Sequence, residues 1–535
     1  LRYNDLALAE EEHKLEAAIA ASRNLLIEAP TGSGKSLFIP YFLSKHCKGR
    51  VVVLQPRRIA ALALAQFSAK LHGESCGKTV GYQFRQESCK SADTRILFQT
   101  YGNFLQELLH GKLDAEWVVF DEYHERKADM DLLFGYFKGA TTPRIAVMSA
   151  ALNRDELEAV LGVKCLQLGH PLYPVQIINQ TPATGNSMVS GVGLDAEVVR
   201  ALRTLYRNGI WKTTLVFLPG KGEIARCHSA AAEALGNNCA EFLELYGGQD
   251  REIQDHIFEE TERPRVIFTT NIAETSITVP NVSGVVDSGV ERVSIYDDSE
   301  KVNVLRTLPI SMQNAIQRSG RSGRTQNGCA IRLWSEESEK RMPRGIIPEV
   351  TQIEPSELLL QKAALDRSDE GGAGIALPTP IPEAREKTAT ALLEKFGMLQ
   401  DRSITELGLK AIRTPISSIP LALLLASAQG PQDLPDLLLA ALAWIHSGTE
   451  TLQKSKVAQD ILTLAKDTLS KAVNVPREVS FTLRQLREYR DGLTERGVAA
   501  PESEAPLEGV AKDKAFARGI LPPPNTTHST SHIIH

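Results

Sequence analysis

A short apolar run, Leu25-Leu26-Ile27, gives way within a few residues to Ala29-Pro30-Thr31-Gly32-Ser33-Gly34-Lys35-Ser36, and no other stretch constrains the chain as much. The apolar residues predict a buried strand, and the small residues after it a tight turn that opens a helix. In such a turn successive backbone N–H groups point at one spot and make a cradle for phosphate oxygens. Lys35 would then reach the outer phosphates of a nucleotide, and the Ser36 hydroxyl could ligate Mg²⁺. Ala29 takes the first position of the G-x-x-x-x-G-K-[ST] pattern in place of glycine, but the glycines nearest the phosphates remain. Taken alone, the stretch also fits an ordinary strand, turn and helix.

A chain of 535 residues exceeds what one hydrophobic core supports, and about three or four domains are expected. Hydrophobic residues at 42% and charged residues at 23% suit a soluble globular protein. No apolar run approaches the roughly 18 residues of a membrane span. The opening LRYNDLALAEEEHK lacks a secretory apolar core, so a cytoplasmic protein without membrane contact is expected. The seven cysteines are scattered without a C-x-x-C pair, which predicts neither a disulfide framework nor a zinc site. A net charge of −5 argues against a globally basic nucleic-acid binder and leaves room for a basic track inside a cleft.

Beyond the cradle, strand and helix signals alternate. Residues 10–23 place Leu15, Ala18, Ile19 and Ala20 among charges at helical spacing, and residues 50–54 (RVVVL) read as a buried parallel strand. That strand exits at Gln55-Pro56-Arg57-Arg58. Open α/β sheets bind ligands along the carboxyl edge of their strands, so the two arginines suit the phosphates of a polyanion; a solvated helix start fits them equally. Residues 95–99 (RILFQ) form another strand signal before Thr100-Tyr101-Gly102-Asn103 and an amphipathic helix. Trp117-Val118-Val119-Phe120 then ends in Asp121-Glu122-Tyr123-His124. An apolar strand closed by two acidic residues is what a nucleotide hydrolase needs at this distance from its lysine. Asp121 would hold Mg²⁺ through water, and Glu122 would share that site and activate the attacking water.

Asp121-Glu122-Tyr123-His124 resembles the DEAH box of superfamily 2 helicases. The surrounding motifs are APTGSGKS, LQPRRIAA, FQTYGN, DEYHER, MSAAL at 148–152, LVFLPGKGEI at 215–224, TTNIAETSITVP at 269–280 and QRSGRSGR at 317–324. Their order resembles the DEAH/RHA group, in particular its bacterial HrpB type, over most of residues 15 to about 430. The resemblance implies an α/β fold of two tandem RecA-like parallel-sheet domains followed by a winged-helix and a helical ratchet-like domain. The expected divisions are 1–168, 169–335, 336–403 and 404–497, with a disordered tail at 498–535.

The second half of the motor is also legible as chemistry. Residues 215–218, 265–268 and 284–287 read as strands ending in polar loops, so a second α/β domain without its own phosphate loop is expected. Hydrolysis that depends on closure needs charge donated across the cleft. By resemblance, Arg321 and Arg324 are the arginine fingers and Gln317 helps position water, while Lys35, Asp121, Glu122 and His124 complete the catalytic set. A basic helix cap is the alternative for the repeated Gly-Arg pairs. The nucleotide would be ATP, held along Ala29 to Ser36 with Mg²⁺ at Ser36, Asp121 and Glu122; Asp287 would sit near the ribose. Phe258 would stack on the base or serve as a core aromatic. Nucleic-acid contacts are implied at Arg57, Arg58, Thr100, Gly102, Thr269, Thr270 and Asn271. Residues 292–304 carry a β-hairpin signal, a wedge against nucleic acid in relatives or a mere sheet extension. His528, His532 and His535 read as a solvated tail.

Three departures from the family pattern stand out. Ser149-Ala150-Ala151 lacks the hydroxyl of the usual Ser-Ala-Thr, Tyr123 replaces an alanine, and no OB-fold is expected after the ratchet-like helices. The expected function is that of an ATP-dependent RNA helicase. Such a protein moves 3′ to 5′ along single-stranded RNA, or RNA with a 3′ overhang, and unwinds duplexes or remodels RNA–protein complexes. A monomer is expected, with protein partners unassigned. An RNA-stimulated clamp that does not unwind, and a DNA translocase on the same motor, stay open.

Overall fold

Leu25, Leu26 and Ile27 do form a strand, β1 (Leu25–Glu28), buried inside a sheet because both of its faces are covered by helices. The remaining strands of this sheet are β2 (Val51–Gln55), β3 (Val80–Gln83), β4 (Ser88–Cys89), β5 (Ile96–Thr100), β6 (Trp117–Phe120), β7 (Arg144–Ser149) and β8 (Cys165–Gln167), in the order β4-β3-β5-β2-β6-β7-β1-β8. All pairs are parallel except β3 with β4. The structure is a computed structural model. It describes residues 2–84, 87–169, 173–183, 191–210, 212–236, 238–247, 249, 256–257, 259, 261–275, 279–368, 374–414, 416, 418–447, 465–466, 468–470, 477–491 and 493.

A second parallel sheet follows, built from β9 (Val175–Asn179), β10 (Thr213–Phe217), β11 (Glu241–Leu245), β12 (Arg265–Thr269), β13 (Val282–Asp287) and, after a hairpin, β16 (Gly328–Arg332). Its order is β11-β12-β10-β13-β16-β9. Each sheet has its own core: Leu15, Phe38, Phe42, Val53, Trp117 and Met148 lie in the first, and Leu202, Val216, Phe268 and Ile331 in the second. The two lobes are RecA-like α/β domains.

The hairpin signal is realised as β14 (Val290–Asp297) paired antiparallel with β15 (Val302–Pro309), outside the second sheet. Arg385 holds its turn. The guanidinium donates to both carboxylate oxygens of Asp298 at 2.9 and 3.0 Å, to Thr351 O at 2.9 Å and to Tyr296 O at 3.1 Å. The same stretch grips the first lobe. Glu349 Oε2 accepts from Ala128 N at 2.8 Å at the start of helix Ala128–Phe137, and Lys127 Nζ donates to Oε1 at 3.1 Å. A carboxylate suits that helix end, where N–H groups lack partners. Both lobes, the hairpin and this strap lie in one compact unit, 1–389.

The second unit, from residue 390, holds a two-stranded ribbon, β17 (Leu399–Gln400) with β18 (Ser403–Ile404), and helices Glu406–Ile412, Ile419–Ala426, Asp436–Ser447 and Arg477–Asp491 among its described elements. Leu425, Leu439, Leu442, Val479 and Leu486 form its core, and Asp436 accepts from Arg487 at 3.2 Å and Arg490 at 2.6 Å. The breaker-rich linker at 369–373 and the tail at 498–535, with its three histidines, lie outside the described residues.

Candidate nucleotide site

β1 delivers the chain into a turn that only glycine enters without strain: Gly32 and Gly34 both have φ of +84°. Ala29 needs no such freedom, since its methyl packs in the first core and its N–H donates to Ser149 O at 3.0 Å. Ser33 Oγ is buried and has no hydrogen-bond partner among the described residues. Lys35, at the head of helix Lys35–Lys45, is 4% exposed and donates to Glu122 Oε1 at 3.3 Å.

Glu122 stands one residue beyond Asp121 at the end of β6, with a left-handed φ of 50° that a side-chain-bearing residue adopts only at a cost. Asp121 is buried. Its carboxylate accepts from Glu122 N at 2.9 Å and from the Gln55 amide, while Tyr101 Oη donates to its carbonyl at 2.8 Å. Burial, then the neighbouring Glu122 charge, raise Asp121 to about 6, although Lys35 and the Ser36 hydroxyl pull the other way. Burial works on Glu122 too, but the Lys35 ammonium and the adjacent His124 ring outweigh it and hold that carboxyl low. Tyr123 tucks into the core against Phe134 and Phe120, which absorbs its bulk beneath the acidic pair.

The second lobe supplies the other wall. Arg324 lies against the turn, its Cγ 3.4 Å from where a β-carbon on Gly32 would stand, and Thr31 Oγ1 is equally close to a β-carbon on Gly320. Arg321 donates to Glu274 O, and Arg318 to Glu274 Oε2 and Asp287 Oδ1 at 2.9 Å each. Burial lowers Arg321 and brings Arg324 down to about 10, with the Glu122 carboxylate opposing both shifts. Guanidinium groups nonetheless stay charged at neutral pH. Gln317 is 3% exposed, and neither atom of its amide has a partner among the described residues. Buried amides without partners are rare, and a bound polar group is one remedy.

The N-terminal half of this arrangement, residues 12–160, matches the DEAD/DEAH box helicase family model, and residues 197–326 match the helicase conserved C-terminal domain. The chain belongs to the DEAD/DEAH-box helicases. Over 428 residues it is 31% identical to the ATP-dependent RNA helicase HrpA of Borreliella burgdorferi, covering 77% of this chain and 51% of that one. Over 422 residues it is 30% identical to the ATP-dependent RNA helicase HrpB of Escherichia coli, covering 76% of this chain and 51% of that one. The crystal structure of the E. coli DEAH/RHA helicase HrpB superposes with a TM-score of 0.79 at 26% identity, covering 96% of this chain and 63% of that one. The chain thus spans about half the length of these two curated relatives.

In this DEAH-box protein the acidic pair suits Mg²⁺, which takes one or two carboxylates and otherwise phosphates and water. Asp121, buried at the end of β6 and within hydrogen-bond reach of Ser36, would fit that role as the ionised carboxylate. Among the described residues no group of three or more His, Cys, Asp or Glu could hold a metal unaided.

Other sequence candidates are distributed differently. Asp287 is 1% exposed and holds Arg318 and Gly289 N. Phe258 lies outside the described residues. Arg57 reaches across the cleft, donating to Asn271 O at 3.2 Å and lying 3.5 Å from Glu125, whereas Arg58 pairs with Glu87 on the surface at 2.9 Å. Thr100 caps helix Tyr101–Leu109 through Asn103 N, and Gly102 stands beside Asp129. Thr269 is buried and donates to Thr270 O at 3.0 Å, leaving Thr270 half-buried and Asn271 exposed at the end of β12. Sequence reasoning passed over Gln55 and Gln313, the second of which donates to Ala151 O at 3.1 Å. A lone glutamine carries no motif signal. No described helix is long and apolar enough to cross a membrane.

Proposed function

We propose that this chain hydrolyses ATP between its two lobes and uses the cycle of closure to move along single-stranded RNA. One observation carries the reading: a guanidinium side chain of the second lobe, Arg324, already lies on the phosphate cradle of the first. The relatives whose names read ATP-dependent RNA helicase support RNA as the track.

In this reading Ala29 to Ser36 wrap the phosphates, and Lys35 exchanges its contact with Glu122 for them. Glu122, released, orients the attacking water and takes its proton, helped by the Gln317 amide. Arg321 and Arg324 neutralise charge that builds on the transferred phosphoryl group. Mg²⁺ at Ser36 and Asp121, shared with Glu122, would supply charge neutralisation between the outer phosphates. Arg57, Arg58, Thr100, Gly102, Thr270 and Asn271 would follow the RNA backbone; such contacts read no base edges and weaken with salt. The domain divisions at 168, 335, 403 and 497, a monomeric state, the cytoplasm and 3′-to-5′ movement belong to the same proposal.

The test is ATP turnover with no nucleic acid, with single-stranded RNA, with single-stranded DNA and with duplexes bearing 3′ overhangs. RNA stimulation with strand displacement is the expected result. Stimulation by DNA alone overturns the RNA assignment, because the 2′-OH is what separates the two backbones. Ala151, which carries no hydroxyl, favours a second reading: RNA-stimulated hydrolysis without displacement marks a clamp.

A further inference from the structure

Two donors converge on the main-chain oxygen of Ala151, one from each lobe. Ser149 Oγ, on the same loop, donates at 2.9 Å, and Gln313 Nε2, on helix Met312–Gly320 of the second lobe, donates at 3.1 Å. Both lone pairs of that carbonyl are thereby used. Ser149 has one hydroxyl proton and gives it to Ala151, so it accepts from His124 Nδ1 at 2.8 Å, which fixes the tautomer of that ring. The same nitrogen stands 3.4 Å from Glu122 Oε2. A hydrogen-bonded path therefore runs from His124 through Ser149 to Ala151 O and crosses to the second lobe at Gln313, and Glu122 Oε2 lies beside its His124 end without a hydrogen bond among the described residues. Ala151 contributes main-chain groups alone, so the donor has to come from the facing helix. That helix also carries Gln317 and leads into Arg321. The contact borders a cavity of about 980 Å³ between the lobes, lined by Ile177, Ile316 and Ala151 among others, so the amide reaches across open space rather than through a packed core.

We propose that Gln313 is a positioning residue through which the second lobe aligns the acidic box of the first. Closure brings its amide onto Ala151 O. That fixes the loop carrying Ser149, hence the His124 ring, hence the carboxylate of Glu122 beside it. With the lobes apart, Ser149 alone holds the loop, and the His124 ring is left with a partner whose own position has lost its brace from the second lobe. This inference rests on the ATPase reading above.

The experiment measures RNA-stimulated kcat and the KM for ATP in the wild type, Gln313→Ala, Gln313→Glu, Ser149→Ala and the Ser149→Ala/Gln313→Ala double variant. Gln313→Glu keeps the side-chain volume and removes the donor, so it carries the test if the alanine variant fails to fold. Removing one such bond is expected to lower kcat about fivefold to tenfold in both Gln313 variants, with KM changed less than about twofold. The double variant should lose no more than Ser149→Ala alone, because both act through one carbonyl. Wild-type kcat in Gln313→Glu, additive losses, or a change confined to KM overturns the proposal. A wild type without RNA-stimulated turnover sinks the ATPase reading and this one together; a stimulated wild type with unaffected Gln313 variants sinks this one alone.

Discussion

Arg324 of the second lobe packs against Gly32 of the first, with Cγ 3.4 Å from the position a β-carbon on Gly32 would take. The positive φ leaves any side chain at Gly32 strained, while a β-carbon there would meet Arg324 only at van der Waals distance. Gly32→Ala is therefore expected to strain the turn on which the arginine rests, and Arg324→Ala to remove the guanidinium. Arg324→Ala should lower kcat by about three orders of magnitude, the usual range for an arginine finger, while nucleotide still binds. Turnover by phosphate release, beside equilibrium binding of a fluorescent nucleotide, checks this; wild-type kcat in Arg324→Ala removes the role.

Lys35 and Glu122 hold each other at 3.3 Å with the site as it stands. Glu122→Gln frees the lysine and keeps the shape of the side chain. Nucleotide affinity should stay at the wild-type level or rise, while turnover falls by about 10²–10⁴ as expected for loss of a general base. Lys35→Ala should lose both.

Arg57 and Arg58 are neighbours in sequence with different surroundings. Arg57 spans the cleft to Asn271 O, and Arg58 pairs with Glu87 in water. Arg57→Ala is expected to reduce RNA stimulation about tenfold, the scale of a charge-assisted hydrogen bond. Arg58→Ala should weaken RNA binding mildly and lower the slope of log affinity against log salt by about one. Identical behaviour of the two variants would contradict the distinction.

Arg385 anchors the turn of the β14–β15 hairpin through Asp298, Tyr296 and Thr351. Arg385→Ala should raise hydrogen exchange across residues 290–309 by about tenfold, since local opening replaces a charge-assisted cluster. Strand displacement should drop with it, and RNA-free ATP turnover should not. Unchanged exchange would show that the hairpin is held by other contacts.

Asp129, beside Gly102 and the Glu349 carboxylate, is raised from 3.8 to about 6, first by burial and then by Glu349. The folded state therefore keeps a proton that the unfolded chain has already lost. That contribution is fully present below about pH 4 and disappears as pH rises through about 6. Asp129→Asn retains an acceptor for Met130 N and carries no charge, so the stability of the variant should vary less between these values. At pH 7.5 its Tm should exceed that of the wild type by about 2–4 °C. A lower Tm would show that the ionised carboxylate is favoured instead.

Sequence alone determined the order of the motor. Apolar runs such as Val51-Val52-Val53-Leu54 read as doubly buried strands because helices cover both faces of a parallel sheet, and Gly32, Gly34 and Lys35 announced the cradle because so few residue types tolerate that turn. The hairpin was visible in its alternating pattern. The tertiary structure decided which side chains meet across the cleft. Arg57 lies more than 200 positions from Asn271 and Gln313 lies 162 from Ala151, and neither has a local pattern that names its partner. Local periodicity records which face of an element is buried; only the packing of one lobe against the other sets which amide finds which carbonyl.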